Sequence, residues 1–116
     1  MGGSAEAEAP DARVALVTAP DAESAEALVR ALVEEGLAAC GNIVGGVTSF
    51  FRWQGALESA SEVLIILKTT AAAAPRLTVR VPELHPYDVP EVLVLAVESG
   101  HRPYLSWLGE NVTHGG

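Results

Sequence analysis

His85 and Glu91 are the residues of this sequence best placed to do chemistry, because they end a short loop that has a proline just inside each end. The loop reads HPYDVPE, with Pro86 and Pro90 as the two prolines. Proline fixes the backbone angle φ, so such a loop holds its flanking side chains in a defined arrangement. An imidazole and a carboxylate together suit Cu(II), Zn or Ni. Two ligands from one chain make a weak site, and their spacing matches no standard metal motif. A divalent metal site is therefore one hypothesis for this loop, and Cys40 would add a soft third ligand from the same chain or a neighbour.

Structural roles stay open for the same residues. Cys40 is the only cysteine and lies between small residues, a setting that is also typical of a side chain packed in a core. His85 would then only hydrogen-bond a backbone carbonyl beside the end of a helix. Tyr87, in the same loop, would order the loop or line a polar pocket.

Sequence signatures of enzymes are absent, since the chain has no GxSxG, P-loop or GxGxxG motif. Cys40 and His85 could form a nucleophile and base, but Cys40 falls in a segment expected to be a buried strand, where a thiolate is disfavoured. We therefore expect a protein without catalytic activity.

Charge and composition narrow the class of protein further. The chain has 116 residues, with 15 acidic and 7 basic side chains and a net charge of -8. The basic residues form no cluster, so a nucleic-acid-binding role is excluded. One cysteine cannot form an intramolecular disulfide, no signal peptide is evident, and no apolar run approaches the roughly 20 residues of a membrane span. We expect a cytoplasmic protein that binds neither nucleic acid nor membrane.

The patterning predicts one domain over 13–112 behind a disordered tail over 1–12, which lacks bulky apolar residues. Asp21 is a good N-cap for a helix that would end at Gly36. Gly45 and Gly46 predict a bulge in one long bent strand. The expected strands are 13–19, 37–53, 62–70 and 91–98, and the expected helices are 21–36, 71–84 (kinked or shortened near Val81 by Pro82) and 103–111.

This order of elements, β-α-β-β-α-β plus a terminal helix, predicts an α+β fold of the ferredoxin-like, split β-α-β kind. Its antiparallel sheet would carry both crossover helices on one face. The segments 63–67 and 92–97 are continuously apolar rather than alternating, which an antiparallel sheet with one wet face should not show. We therefore expect the second face to be covered by other copies of the chain in a homo-oligomer.

Several stretches together resemble the CutA family of divalent-cation tolerance proteins. They are LVTAPD (16–21), LVEEGLAACGNIVGGVTSFFRWQG (32–55), EVLIILKTT (62–70), LHPYDVPEVLVLAVESG (84–100) and YLSWL (104–108). The similarity covers nearly all of the expected domain. In two places the sequence departs from the family pattern: Val17 stands where some bacterial members carry a second cysteine, and Pro82 is unusual in the second helix.

The resemblance implies a tight homotrimer similar in architecture to the PII signalling proteins, with the sheets facing inward. It also implies binding of Cu(II) or another divalent cation and a role in cation tolerance or homeostasis. By the same resemblance, His85, Glu91 and Cys40 match the family's metal-associated positions. One alternative is a PII-like trimeric signalling module that binds a small anionic ligand in the cleft between subunits. Another is a purely structural, very stable trimer whose metal binding is incidental.

Overall fold

A long antiparallel hairpin and two crossover helices dominate the computed structural model, which describes residues 6–113. The order of elements confirms the predicted β-α-β-β-α-β core and terminal helix, with one additional short strand before the core and one after it. The elements are β1 (Glu6–Glu8), β2 (Ala12–Ala19), α1 (Ala22–Glu34), β3 (Cys40–Trp53), β4 (Ala56–Thr70), α2 (Ala74–Leu84), β5 (Leu93–Ala96), β6 (Ser99–His101) and α3 (Arg102–Glu110).

The main sheet has four strands in the order β3-β4-β2-β5, and every neighbouring pair is antiparallel. This is the strand order of a split β-α-β fold, so the α+β prediction is confirmed. Both crossover helices pack on the same face of the sheet, where α1 and α2 share one core with alternate residues of β2 and β4. The largest fully buried side chains of this core are Leu32, Ile65, Leu67, Leu77, Val17 and Val81.

Local signals set the ends of α1 as predicted. The Asp21 side chain accepts a hydrogen bond from the Ser24 backbone N–H at 2.8 Å, which satisfies one of the unpaired donors of the first turn. Gly36 follows the helix with a φ of +74°, a left-handed conformation that favours glycine. The helix thus begins and ends where its capping residues require.

The hairpin of β3 and β4 is longer than the sequence indicates. The pairing register shifts between Val44 and Val47, which confirms the bulge predicted at the two intervening glycines. Gln54 and Gly55 both have positive φ, +50° and +84°, as a two-residue type I′ turn requires. The second strand begins at Ala56 rather than at 62, because the mostly exposed stretch 56–61 is held by pairing with β3 and not by burial. The longest dimension of the molecule is consequently 57 Å.

The second crossover helix corrects the expected shortening at Val81. Helix α2 continues through Pro82 to Leu84, and the backbone N–H of His85 donates to the Val81 carbonyl at 2.9 Å. Pro82 has no N–H to donate to the Thr78 carbonyl, but burial of one face of the helix holds the last turn. The helix begins later than predicted, with Pro75 in its first turn.

Residues 6–12 differ from the expected disordered tail. Strand β1 pairs with β6, and the N–H of Ala9 donates to the Glu98 carbonyl at 3.1 Å. The Ala9 side chain is only 4% exposed. Small residues such as Ala9 carry little hydrophobic signal in a sequence, yet they let the chain pack closely against the segment around Glu98. Residues 1–5 of the expected tail lie outside the described residues.

The second face of the sheet remains uncovered in the single chain, as the continuous apolar runs predict. Direct strand partners share a face, which places the pair Leu16 and Leu93 there beside the pair Val14 and Leu95. Leu93 and Leu95 are 55% and 47% exposed. We call this apolar surface the open face. No helix among residues 6–113 is long and apolar enough to cross a membrane.

Candidate cation-binding cleft

His85 is held at the C-terminal end of α2 by two hydrogen bonds, one at each ring nitrogen. Its Nε2 lies 2.7 Å from the carbonyl oxygen of Thr18, and its Nδ1 accepts from the backbone N–H of Tyr87 at 3.0 Å. Because the Tyr87 amide is a donor and the Thr18 carbonyl an acceptor, the geometry places the ring proton on Nε2. The ring is 8% exposed. The structural alternative considered for His85, a hydrogen bond to a backbone carbonyl, is thus present.

Tyr87 connects the anchored His85 to the hairpin of β3 and β4. Its ring packs against the His85 ring with centroids 4.8 Å apart, and its hydroxyl donates to Oε2 of Glu62 at 2.9 Å. Burial, followed by the hydrogen bond to Glu62 and the charge of that carboxylate, raises the pKa of Tyr87 to about 12. The phenol therefore stays protonated at neutral pH and orients the Glu62 carboxylate.

A cleft of about 900 Å³ lies between the anchored loop and the hairpin. Its lining includes four carboxylates, those of Glu58, Glu62, Asp88 and Glu91, and no lysine or arginine. Carboxylates gathered in a cleft with apolar walls produce a negative potential that concentrates cations. We call this feature the acidic cleft.

The apolar walls of the acidic cleft come mainly from the far half of β3. Phe50, Phe51 and Trp53 all line it, and they are 71%, 40% and 52% exposed. Phe51 is the direct strand partner of Glu58, so an aromatic ring and a carboxylate share one face of the hairpin. Large aromatic side chains that are this exposed are typical of an interface rather than of a core.

The structure brings Glu91 to the acidic cleft but leaves Cys40 elsewhere. Cys40 pairs with Lys68 and Thr18 pairs with Leu64, and these two partners are four residues apart along β4. At the rise of a strand this separation is about 13 Å. Cys40 is a partly exposed free thiol.

Among residues 6–113, no three His, Cys, Asp or Glu side chains lie close enough together to hold a metal ion. The set of His85, Glu91 and Cys40 is thus not assembled within one chain, and its role as a ligand set stays a prediction. Reasoning from the sequence missed Glu58 and Glu62. Their spacing of four along β4, two strand periods, was the available signal that they share a face.

The fold and the cleft together define an α+β protein with a split β-α-β core and an acidic, aromatic-walled cleft beside an open apolar sheet face. The sequence model of the family described as "CutA1 divalent ion tolerance protein" matches residues 13–111. The chain therefore belongs to this family, which confirms the resemblance found in the sequence.

Individual relatives agree in sequence and in structure. The divalent-cation tolerance protein CutA of Thermus thermophilus is 52% identical over 98 residues, which cover 84% of this chain and 95% of that protein. The solved structure of the divalent cation tolerance protein (Cut A1) from the same organism has a TM-score of 0.86 at 50% identity, covering 88% of this chain and 99% of that one. The human protein CutA is 46% identical over 94 residues, which cover 81% of this chain and 52% of the human protein. This chain thus spans about half the length of the human relative.

Proposed function

We propose that this protein binds divalent cations at the acidic cleft and acts in divalent-cation tolerance, without catalytic activity. The observation that carries the proposal is the lining of the cleft, which has four carboxylates and no basic side chain. The name of the Thermus thermophilus relative, a divalent-cation tolerance protein, and the description of the matching family support the same role. Cu(II) or another divalent cation is the proposed ion on the basis of the sequence resemblance, and the cytoplasm is the proposed location.

Glu91 is the proposed ligand already in the cleft, where it offers carboxylate oxygens. His85 joins the metal through Nδ1 only if the Tyr87 amide gives up that nitrogen as its acceptor. Cys40 joins only from a second chain, because it lies at the far end of the sheet in its own chain. Assembly of several chains is therefore part of the proposal.

The proposed assembly is a homotrimer in which the open face is buried. Leu93 and Leu95 belong to the apolar strand β5 and lie on the open face, where each side chain is about half exposed in the single chain. A Leu95→Asp variant would place a charge in that interface and should yield a folded monomer by light scattering. The matched control is Val79→Asp on α2. Val79 is 65% exposed on the helical side of the sheet, opposite the open face, so this substitution should leave the trimer intact. If Leu95→Asp and Val79→Asp have the same oligomeric state, the open face is not the interface.

Calorimetric titration of metal-stripped protein with Cu(II) tests the cation site. We expect saturable binding that Glu91→Gln and His85→Ala each weaken at least about tenfold, as loss of one ligand or of its orientation does. Glu34→Gln is the control, because it removes a carboxylate of the same type from an exposed position on α1. Binding that responds equally to Glu91→Gln and Glu34→Gln would place the metal elsewhere.

The alternative PII-like role, binding of a small anion between subunits, is not favoured by this cleft. Four carboxylates repel an anionic ligand, and the lining offers no lysine or arginine to neutralise one. A shift of the melting temperature with nucleotides but not with metal ions would reverse this preference.

A further inference from the structure

We propose that the hydrogen-bonded pair of Lys68 and Asn42 sets the alignment of the chains when the open face is buried between copies of this protein. The inference rests on the homotrimer of the proposed function and names the residues that select one arrangement of its subunits. A selecting contact is needed because an interface made of aliphatic side chains alone has several arrangements of similar energy.

Lys68 lies on the open face on an inner strand of the sheet, not at its edge. It is the direct partner of Cys40 on one side and of Val14 on the other, and Val14 in turn pairs with Leu95. Direct strand partners share a face, so the pairings define rows of side chains across the open face. The rows are Cys40, Lys68, Val14 and Leu95; then Asn42, Ile66, Leu16 and Leu93; then Val44, Leu64 and Thr18. In these rows of described residues, Lys68 is the one charged side chain.

The ammonium group of Lys68 has an acceptor within its own chain. Its Nζ donates to Oδ1 of Asn42, which lies diagonally across the hairpin in the next row. A lysine ammonium has three donors, and the side-chain amide of asparagine has two donors of its own. The neighbouring side chains of Val14 and Ile66 cannot accept a hydrogen bond. The remaining donors therefore need water in the single chain and acceptors from a second chain once the open face is buried.

Burial makes this polar pair selective among arrangements of the chains. Leucine, isoleucine and valine side chains attract one another without directional preference, so apolar contact alone tolerates a shift of one chain along another. A buried ammonium without enough acceptors is strongly unfavourable. Single polar residues in apolar coiled-coil interfaces fix register and chain number through the same cost. Only alignments that bring acceptors to Nζ of Lys68 and to the amide of Asn42 thus stay favourable.

A second copy of the chain is the occupant of the open face that both its apolar surface and its charge favour. Leu93 and Leu95 are about half exposed in the single chain, and the same side chains of a neighbouring copy offer apolar cover for them. The chain has 15 acidic and 7 basic side chains, so a neighbouring copy also brings an excess of carboxylates towards the ammonium of Lys68. A basic partner would instead bring cations beside Lys68, which repulsion between like charges disfavours.

Fluorine NMR of the full chain labelled with 5-fluorotryptophan tests the inference, because two tryptophans give two signals when all subunits are equivalent. We expect the parent to show two signals and to be a trimer by native mass spectrometry. Lys68→Met keeps a long apolar side chain but removes the ammonium, and it should give more than two signals or oligomers of other sizes. Lys68→Arg retains a cationic donor and should resemble the parent. Arg30→Met, at an exposed position on α1, is the matched control and should also resemble the parent.

Asn42→Leu removes the acceptor and should cause the same heterogeneity, which provides a second test if circular dichroism shows that Lys68→Met does not fold. If the folded variants give the two signals and the trimer of the parent, the inference is overturned while the proposed assembly stands. A folded monomer from Lys68→Met or Asn42→Leu would also overturn it, because the pair would then supply affinity rather than alignment. A monomeric parent, or a trimer that persists in Leu95→Asp, would contradict the proposed assembly and the inference with it.

Discussion

His85 and Thr18 are joined across the fold, with Nε2 of the imidazole 2.7 Å from the Thr18 carbonyl oxygen, although 67 residues separate them in sequence. This bond ties the end of α2 to the end of β2. It places the loop that follows His85 beside the hairpin, so that Tyr87 reaches Glu62. The acidic cleft therefore depends on a buried imidazole that is not itself among the residues lining it.

Replacing His85 with alanine should lower the free energy of unfolding by about 2–3 kcal/mol. The variant leaves the Thr18 carbonyl without its donor and the Tyr87 amide without its acceptor, and each lost partner of a buried group costs about 1–3 kcal/mol. Urea denaturation measures the change. His101→Ala, at an exposed histidine, is the control and should stay within about 0.5 kcal/mol of the parent. Equal losses in the two variants would contradict the anchoring role.

Tyr87 should ionise far above the ordinary value of 10.0, with a midpoint near its raised pKa of about 12. Tyr104→Phe leaves Tyr87 as the only tyrosine, so tyrosinate absorbance reports it alone. Glu62→Gln should lower this pKa but keep it above 10.0, because burial is the largest cause of the shift. A midpoint that is unaffected by Glu62→Gln would contradict the contact.

The same raised pKa makes stability fall at high pH. The folded state holds the Tyr87 proton more tightly than the unfolded state does, so this stabilisation is complete below pH 10.0. It is lost as the pH rises from there to about 12. Tyr87→Phe should reduce the alkaline loss of stability in denaturation curves measured across this range, and an unchanged slope would argue against the linkage.

Gly41 should not tolerate a methyl group. A Cβ at this position would lie 2.6 Å from Cγ1 of Val29 and 3.0 Å from Cδ2 of Leu67, closer than packed atoms allow. We expect Gly41→Ala to destabilise the fold by about 1–3 kcal/mol in thermal or chemical denaturation. Gly45→Ala is the matched control, since a Cβ there meets no atom within 4 Å. If Gly45→Ala lowers the stability more than Gly41→Ala does, the close approach of α1 to β3 is not the reason that position 41 is glycine.

The ion pair between Arg80 and Glu35 should contribute stability only above acid pH. Arg80 donates from Nε and Nη2 to the two carboxylate oxygens at 2.9 and 3.0 Å, and these hydrogen bonds hold the pKa of Glu35 below 4.5. The stabilisation is therefore present above pH 4.5 and lost as the pH falls through the lowered pKa. The difference in melting temperature between the parent and Glu35→Gln should shrink on acidification and in high salt, because both groups face solvent. A difference independent of pH would contradict the prediction.

The sequence by itself determined the features that depend on neighbours along the chain. The cap at Asp21, the bulge at Gly45 and Gly46 and the order of strands and helices follow from local conformational preference and from the period of apolar residues. It also indicated the uncovered sheet face, because an apolar run without alternation places apolar side chains on both faces of the sheet.

Only the tertiary structure decided which distant residues meet. The pairing of β1 with β6 joins Glu6 to Ser99 across 93 positions, and the cleft unites Glu58 and Glu62 with Asp88 and Glu91. A residue's periodicity reports the face on which it lies but not the element that packs against that face. His85 shows the consequence: its type and flanking prolines indicated a ligand, whereas the fold surrounds both ring nitrogens with backbone partners.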